Sequence, residues 1–393
     1  MVCPSGQWGK KDDIRNEFSV NFLRQDADTL IIMRKFIKIS VFVIILGSLA
    51  AGAYFVGARK YAGDYNKIIK LFDEAFVFAK KGGGDMALRK TNLAALESQK
   101  FLESPLTKLM KDKDSRALLK ARFNLLLSKS YYEMGQYNDD DSLTAQALQI
   151  AENYGIAHPS ALLEWEIFQK EFIHKINQYS AHYTYTKAAD YLQKFISIVE
   201  KKANIQVTLK KSFPYLHSVL GKIYIDQRKW ADAKAEYEKA LSLAEGIPGP
   251  GPGPGPGIEE EFYALSYWRL GIVQLKQKQY DDSEKMMKLA LERMTNSRRP
   301  NNAVLSEIYH NFAEIYKAEG KTDLAGQFFN KSLEWHEKAF GAESPKLLHV
   351  LIDYATHLKS IGSADQAKLL EDRARSIEKE ASRAVASPES QKD

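Results

Sequence analysis

The sequence predicts an all-α protein, a solenoid of helix-turn-helix units preceded by one transmembrane helix. Three observations carry this: an uncharged apolar run near the N-terminus, apolar residues at helical spacing through the remainder, and an internal repeat of small and aromatic residues. With 393 residues, 45% of them hydrophobic and 27% charged, the chain can bury a core and is too apolar to stay disordered. The net charge of +6 is spread over mixed-sign stretches, with no basic block of the kind that binds nucleic acid, so nucleic acid is not an expected partner. Cys3 is the only cysteine, which excludes a disulfide framework, a thiolate metal site and a cysteine nucleophile.

The apolar run Ile39 to Ala58 reads ISVFVIILGSLAAGAYFVGA and carries no charge. At about 1.5 Å per residue, a helix of that length matches a hydrocarbon core of roughly 30 Å. Arg34, Lys35 and Lys38 precede it and Arg59 and Lys60 follow, so both ends carry charges that reach headgroups. The lipid bilayer is therefore an expected partner, through 39–58. Two other readings stay open: a buried core helix, and a cleaved signal peptide with Ala51-Gly52-Ala53 or Val56-Gly57-Ala58 as cleavage site, which would release a secreted protein. Residues 1–32 hold Asp12, Asp13, Glu17, Asp26 and Asp28, acids that a transit peptide lacks. Met33 opens a basic stretch followed by a hydrophobic one and is the expected natural start, which leaves 1–38 as an N-terminal extension and basic flank. The expected location is a bacterial inner membrane with the repeats periplasmic, against which Lys67 and Lys70 weigh; a mitochondrial inner membrane is the alternative.

Residues 59–114 read as a helical cap or degenerate repeat, with Ile68, Ile69, Leu71, Phe72, Ala75 and Phe76 on one broad face and Gly82-Gly83-Gly84 ending the helix. Helix pairs follow over 115–247. The first is marked by Leu127, Ser128, Tyr131, Gly135, Tyr137 and Ala147-Leu148; a degenerate one by Ala188, Leu192 and Ile196; a clear one by Leu220-Gly221, Tyr224, Trp230, Ala233, Tyr237 and Ala240-Leu241. Small residues at Gly221, Ala233 and Ala240 let two helices approach closely while the aromatic ones fill the space beside them. Residues 248–257, PGPGPGPGPG, lack every second backbone donor and are expected to form an insertion loop between two repeats; the spacing fits neither collagen nor a PxxP ligand. Over 258–382 the pattern returns as Leu270-Gly271, Tyr280, Ser283, Met287 and Ala290-Leu291, then Phe312-Ala313, Tyr316, Gly320, Ala325 and Phe329, then Tyr354-Ala355, Leu358, Gly362, Ala367 and Ala374. Gly271, Ala313 and Ala355 stand at equal steps of 42 residues. Residues 383–393 form a short polar tail expected to be disordered.

This arrangement resembles the tetratricopeptide-repeat superfamily over about Ala117 to Glu380. The last units, opened by Phe340-Gly341-Ala342-Glu343-Ser344-Pro345, resemble the 42-residue repeats of kinesin light chains. The resemblance implies a right-handed superhelix that acts as a scaffold or adaptor and holds a protein or peptide in its concave groove. It places Lys222, Trp268, Ile272, His310, Asn311, Glu314, Thr356 and Lys359 in that groove. The carboxylate clamp of chaperone-tail-binding members is incomplete, because the matching places hold Ser218, Lys222, Trp268 and Ile272. An accessory subunit, or an enzyme of an envelope or organelle membrane complex, is the alternative.

Signs of chemistry are sparse. His158, His174, His182, His217, His310, His336, His349 and His357 form no HExxH and no carboxylate-histidine cluster in sequence, and no GxxxxGK[ST], GxGxxG or GxSxG stretch is present. No catalytic residue, cofactor, metal ligand or small-molecule substrate is expected. Asp139-Asp140-Asp141 lacks calcium-loop spacing and reads as acids at a helix N-terminus.

Overall fold

The structure, a computed structural model, describes residues 56–154, 159–182, 184–203, 207–245, 247, 256–297 and 300–386. All but the last three residues of the apolar run Ile39–Ala58 lie outside these, as do 1–38, 248–255 and 387–393. Among the described residues no helix is long and apolar enough to cross a membrane, and there is no strand.

Two compact units are described. In the first, residues 56–116 and 126–140, a helix α1 (56–80) buries Ile68, Phe72, Ala75 and Ala79, residues spaced to share one side. Helix α2 (Gly84–Glu103) answers with Ala87, Thr91, Ala94, Ser98 and Phe101, and Lys90 on α2 pairs with Glu74 on α1 at 2.6 Å. Gly82 turns the chain between them with φ +76°. The short α3 (Pro105–Met110) is capped by Ser104 and α4 (Lys113–Glu133) by Asp112, whose carboxylate accepts from the Ser115 N–H at 2.9 Å.

The second unit, residues 117–125 and 141–386, contains a run of helix pairs. After α5 (Tyr137–Asn153), α6 (Pro159–Ala181) pairs with α7 (Tyr185–Ala203), α8 (Phe213–Asp226) with α9 (Trp230–Glu245) and α10 (Pro256–Lys276) with α11 (Tyr280–Thr295). Then α12 (Asn302–Ala318) pairs with α13 (Thr322–Phe340), and α14 (Leu348–Ser360) with α15 (Ala364–Ala386). The second helix of each of these pairs also packs on the first helix of the next, and α10 touches the first helices on either side of it, α8 and α12. Each pair thus leaves an apolar face that only its neighbours cover, as stacking requires.

The small residues explain the pairing. Gly221 lies so close to α9 that an added Cβ would stand 2.9 Å from Tyr237, a fully buried ring. Twelve residues on, Ala233 is fully buried, and the same spacing joins Gly271 to Ser283, Ala313 to Ala325 and Ala355 to Ala367. At Ser283 the small residue is polar, and its hydroxyl donates to the Gly271 carbonyl at 2.7 Å.

Three details add to the sequence reading or differ from it. The weak pair α6–α7 has Ile176 and Phe195 where Gly221 and Ala240 stand in the next pair, and it packs through aromatic rings: Phe172 and Phe195 have centroids 4.5 Å apart, Trp165 and Phe195 5.7 Å. The helical fold is kept by bulk that the small-residue pattern does not register. Asp139 and Asp140 do stand in the first turn of α5, and Asp140 is in addition fully buried there, accepting from the Ser128 hydroxyl at 2.8 Å. Finally, Pro256 and Gly257, read as loop, open α10, where a proline is tolerated because the first turn needs no N–H donor.

Candidate protein-binding surface

The first helices of three successive pairs, α6, α8 and α10, line a cleft of about 760 Å³. Its walls offer aromatic and aliphatic surface from Tyr215, Phe262 and Leu265 on these helices and from Tyr185 at the start of α7, with Lys222 and Arg269 set among them. Tyr215 is 50% exposed although it follows the buried Pro214 in the first turn of α8, so its ring is available to a ligand. Lys222 pairs with Asp226 at 2.7 Å, and Asp226 and Glu261 bring acidic groups to the same walls. The chemistry on offer is apolar contact flanked by charges of both signs, which suits an amphipathic peptide segment.

Of the residues that the resemblance placed in a groove, Lys222 lines this cleft. Trp268 and Ile272 pack instead against the buried cluster that contains Met287, Phe312 and Phe329, and the buried Nε1 of Trp268 has no hydrogen-bond partner among the described residues. His310, Asn311 and Glu314 share a stretch of α12. His310 Nε2 meets Asp353 at 3.0 Å, Asn311 donates to the Glu307 carbonyl at 2.7 Å, and Glu314 holds Lys317 at 2.8 Å. Thr356 and Lys359 are exposed on α14; the Thr356 hydroxyl donates to the Ile352 carbonyl, and Lys359 pairs with Glu371 on α15. Tyr215 and Phe262 escaped the sequence reading, and the signal that would have found them is an aromatic ring on the exposed side of a first helix.

Histidines that stand apart in sequence meet in the fold. Although no local motif joins them, the fold brings His336 Nε2 to 3.3 Å and His349 Nε2 to 3.4 Å from the same carboxylate oxygen of Glu307. The His349 and His336 rings stand 4.9 Å apart, and His310 meets His349 edge-on at 5.4 Å. Glu307 and His349 are 42 residues apart, one repeat step, so stacking aligns positions that the sequence separates. Burial pushes the Glu307 carboxyl up, but hydrogen bonds from His336 and His349 outweigh it and hold the group far below the usual carboxylate range. The same bond to Glu307 raises His349, against the opposite pull of burial. Asp353 is lowered, first by its hydrogen bond with His310.

A family model described as tetratricopeptide repeat matches residues 262–325 and 304–380, and a second one of the same description matches 215–246. No curated protein matches. Among solved structures, BtubC (BKLC) from P. vanneervenii is 16% identical, with 75% of this chain and 92% of that one covered and a TM-score of 0.43. A putative kinesin light chain from Podosopora anserina with nearly identical TPR-like repeats is 15% identical, over 55% of this chain and 96% of its own, with a TM-score of 0.43. YrrB, a TPR protein with an unusual peptide-binding site, is 18% identical, over 53% and 84%, with a TM-score of 0.33. Residues 215–246 and 262–380 of this chain are tetratricopeptide repeats.

Proposed function

We propose that this chain is a membrane-tethered scaffold whose repeats hold a segment of another protein. The observation that carries the reading is the cleft lined by α6, α8 and α10, where exposed aromatic surface and charges of both signs meet on the first helices of adjacent pairs. Such helices are rigidly seated by their neighbours, so a peptide that docks on them loses its own freedom without having to order the receptor. A photoreactive residue placed at Tyr215 is expected to form an adduct with one discrete partner, and one placed at Leu369, on the exposed face of α15, is not. Equal labelling from both positions, or labelling from Leu369 alone, would move the interface away from the cleft.

Tethering rests on the uncharged run 39–58 and its basic flanks. The repeats then face the far side of a bacterial inner membrane. The full chain is expected to sediment with membranes and resist carbonate extraction, and removal of 39–58 is expected to free it. Recovery of a soluble form that begins near Tyr54 or Arg59 would show a cleaved leader instead.

A further inference from the structure

We propose that Glu307, His336 and His349 form a binding site for one divalent transition-metal ion of the zinc class, joining the last two repeats. The three ligand atoms lie within 4.8 Å of one another, and the two histidine nitrogens stand 3.3 and 3.4 Å from one Glu307 oxygen. Tetrahedral zinc with bonds of about 2.0–2.1 Å sets its ligands roughly 3.4 Å apart, so these two edges already have the right length.

The hydrogen bonds around the rings supply a second argument. His336 Nδ1 faces the Ser332 carbonyl at 2.9 Å, and the nearby Ser332 hydroxyl donates to the Ser306 carbonyl at 3.0 Å. A carbonyl can only accept, so Nδ1 donates to it, and Nε2 is the ring nitrogen left to face the Glu307 carboxylate. His349 is likewise hydrogen-bonded to the backbone of Lys346 while its Nε2 faces Glu307. Histidine ligands whose other nitrogen is fixed by a backbone carbonyl are a recurrent arrangement around metals, because the bond sets both tautomer and ring orientation.

The donor set chooses the ion. Two imidazoles and one carboxylate suit zinc, nickel or copper, whereas magnesium and calcium require oxygen ligands. His336 is fully buried and its side chain anchors the inner edge; His349 has a side chain 45% exposed, which leaves a path for entry and a fourth position for water. The neighbouring group His310, Glu314 and Asp353 is a weaker candidate, because Lys317 already neutralises Glu314 at 2.8 Å. The ligands come from α12, α13 and α14, so an ion bound there holds two repeats together and is bound by the folded state alone.

The test uses the full chain without a histidine tag, stripped of metal by chelation and titrated with Zn2+, with Co2+ as a spectroscopic probe. One ion per chain is expected, with a raised melting temperature, four-coordinate Co2+ bands, and no response to Mg2+. His349→Ala and Glu307→Gln are each expected to weaken Zn2+ binding at least about tenfold. His174→Ala, which removes an exposed histidine on α6, is expected to leave it unchanged. Because His349 is half-exposed, its loss leaves the core intact and the circular dichroism spectrum should not change. Unaltered Zn2+ affinity in folded His349→Ala, or no melting shift with Zn2+ in the parent chain, overturns the proposal.

Discussion

Gly221 shows how little space a helix pair allows. A methyl group there would meet Cε2, Cδ2 and Cζ of Tyr237 at 2.9–3.1 Å, and that ring is fully buried, with its hydroxyl pushed up to about 12 by burial. Gly221→Ala is expected to destabilise the chain by about 1–3 kcal/mol in denaturant unfolding. Gly271→Ala should be milder, since its nearest neighbour is the terminal methyl of Met287, which can swing aside. His357 makes a second residue-scale prediction. It is 1% exposed, Nε2 donates to the Thr322 carbonyl at 3.1 Å, and Nδ1 is buried with no hydrogen-bond partner among the described residues. Burial lowers its pKa, Lys317 adds to the lowering, and the Thr322 bond and Glu314 oppose it. As pH falls through about 6.5 the unfolded histidine gains a proton that the folded one resists, so the unfolded state binds more protons. The stability gained from keeping His357 neutral is therefore complete above that pH and is lost as pH falls toward the depressed folded value. The melting temperature of His357→Gln should vary less than that of the parent between about pH 7.5 and pH 5.5.

At the scale of elements, the turns that join α4 to α5, α8 to α9, α10 to α11, α12 to α13 and α14 to α15 share one conformation. Seven residues after Ser128, Gly221, Gly271, Ala313 and Ala355 come Gly135, Arg228, Lys278, Gly320 and Gly362, all with φ between +58° and +81°. Glycine takes that left-handed backbone freely, whereas a side chain costs about 1–2 kcal/mol there. Lys278→Gly is expected to stabilise the chain by roughly 0.5–1 kcal/mol, after allowance for the greater freedom of glycine in the unfolded state. A drop in stability would mean that the Lys278 side chain contributes more than its backbone strain removes. Where glycine occupies the turn the sequence announced it; Arg228 and Lys278 carry no such mark, and the repeat register alone identifies them. Small residues were legible for the same reason, since their size is the feature that pairing demands. The α6–α7 pair was faint because Ile176 and Phe195 reach a different packing with the same helices.

At the scale of the molecule, the helical repeats could be read from one-dimensional periodicity, but the candidate surfaces could not. The cleft draws on α6, α8 and α10, and the histidine cluster on residues a full repeat step apart, so both exist only once neighbours stack. Periodicity records what a residue packs against inside its own pair and is silent about alignment along the stack. The same logic fixes the role of the Pro-Gly insertion. Tyr237 and Leu241 of α9 pack against Leu270 of α10, so the two repeats are joined by their own side chains. Deleting 249–255 is expected to leave circular dichroism and melting temperature almost unchanged, because closure entropy varies only logarithmically with loop length. The contact of α9 with α10 also makes the gene divisible at this point. Two polypeptides, 1–247 and 256–393, produced together in one cell, should reassemble through that shared apolar face and co-elute as a single particle, with the peptide bond between them serving to keep the halves at high local concentration.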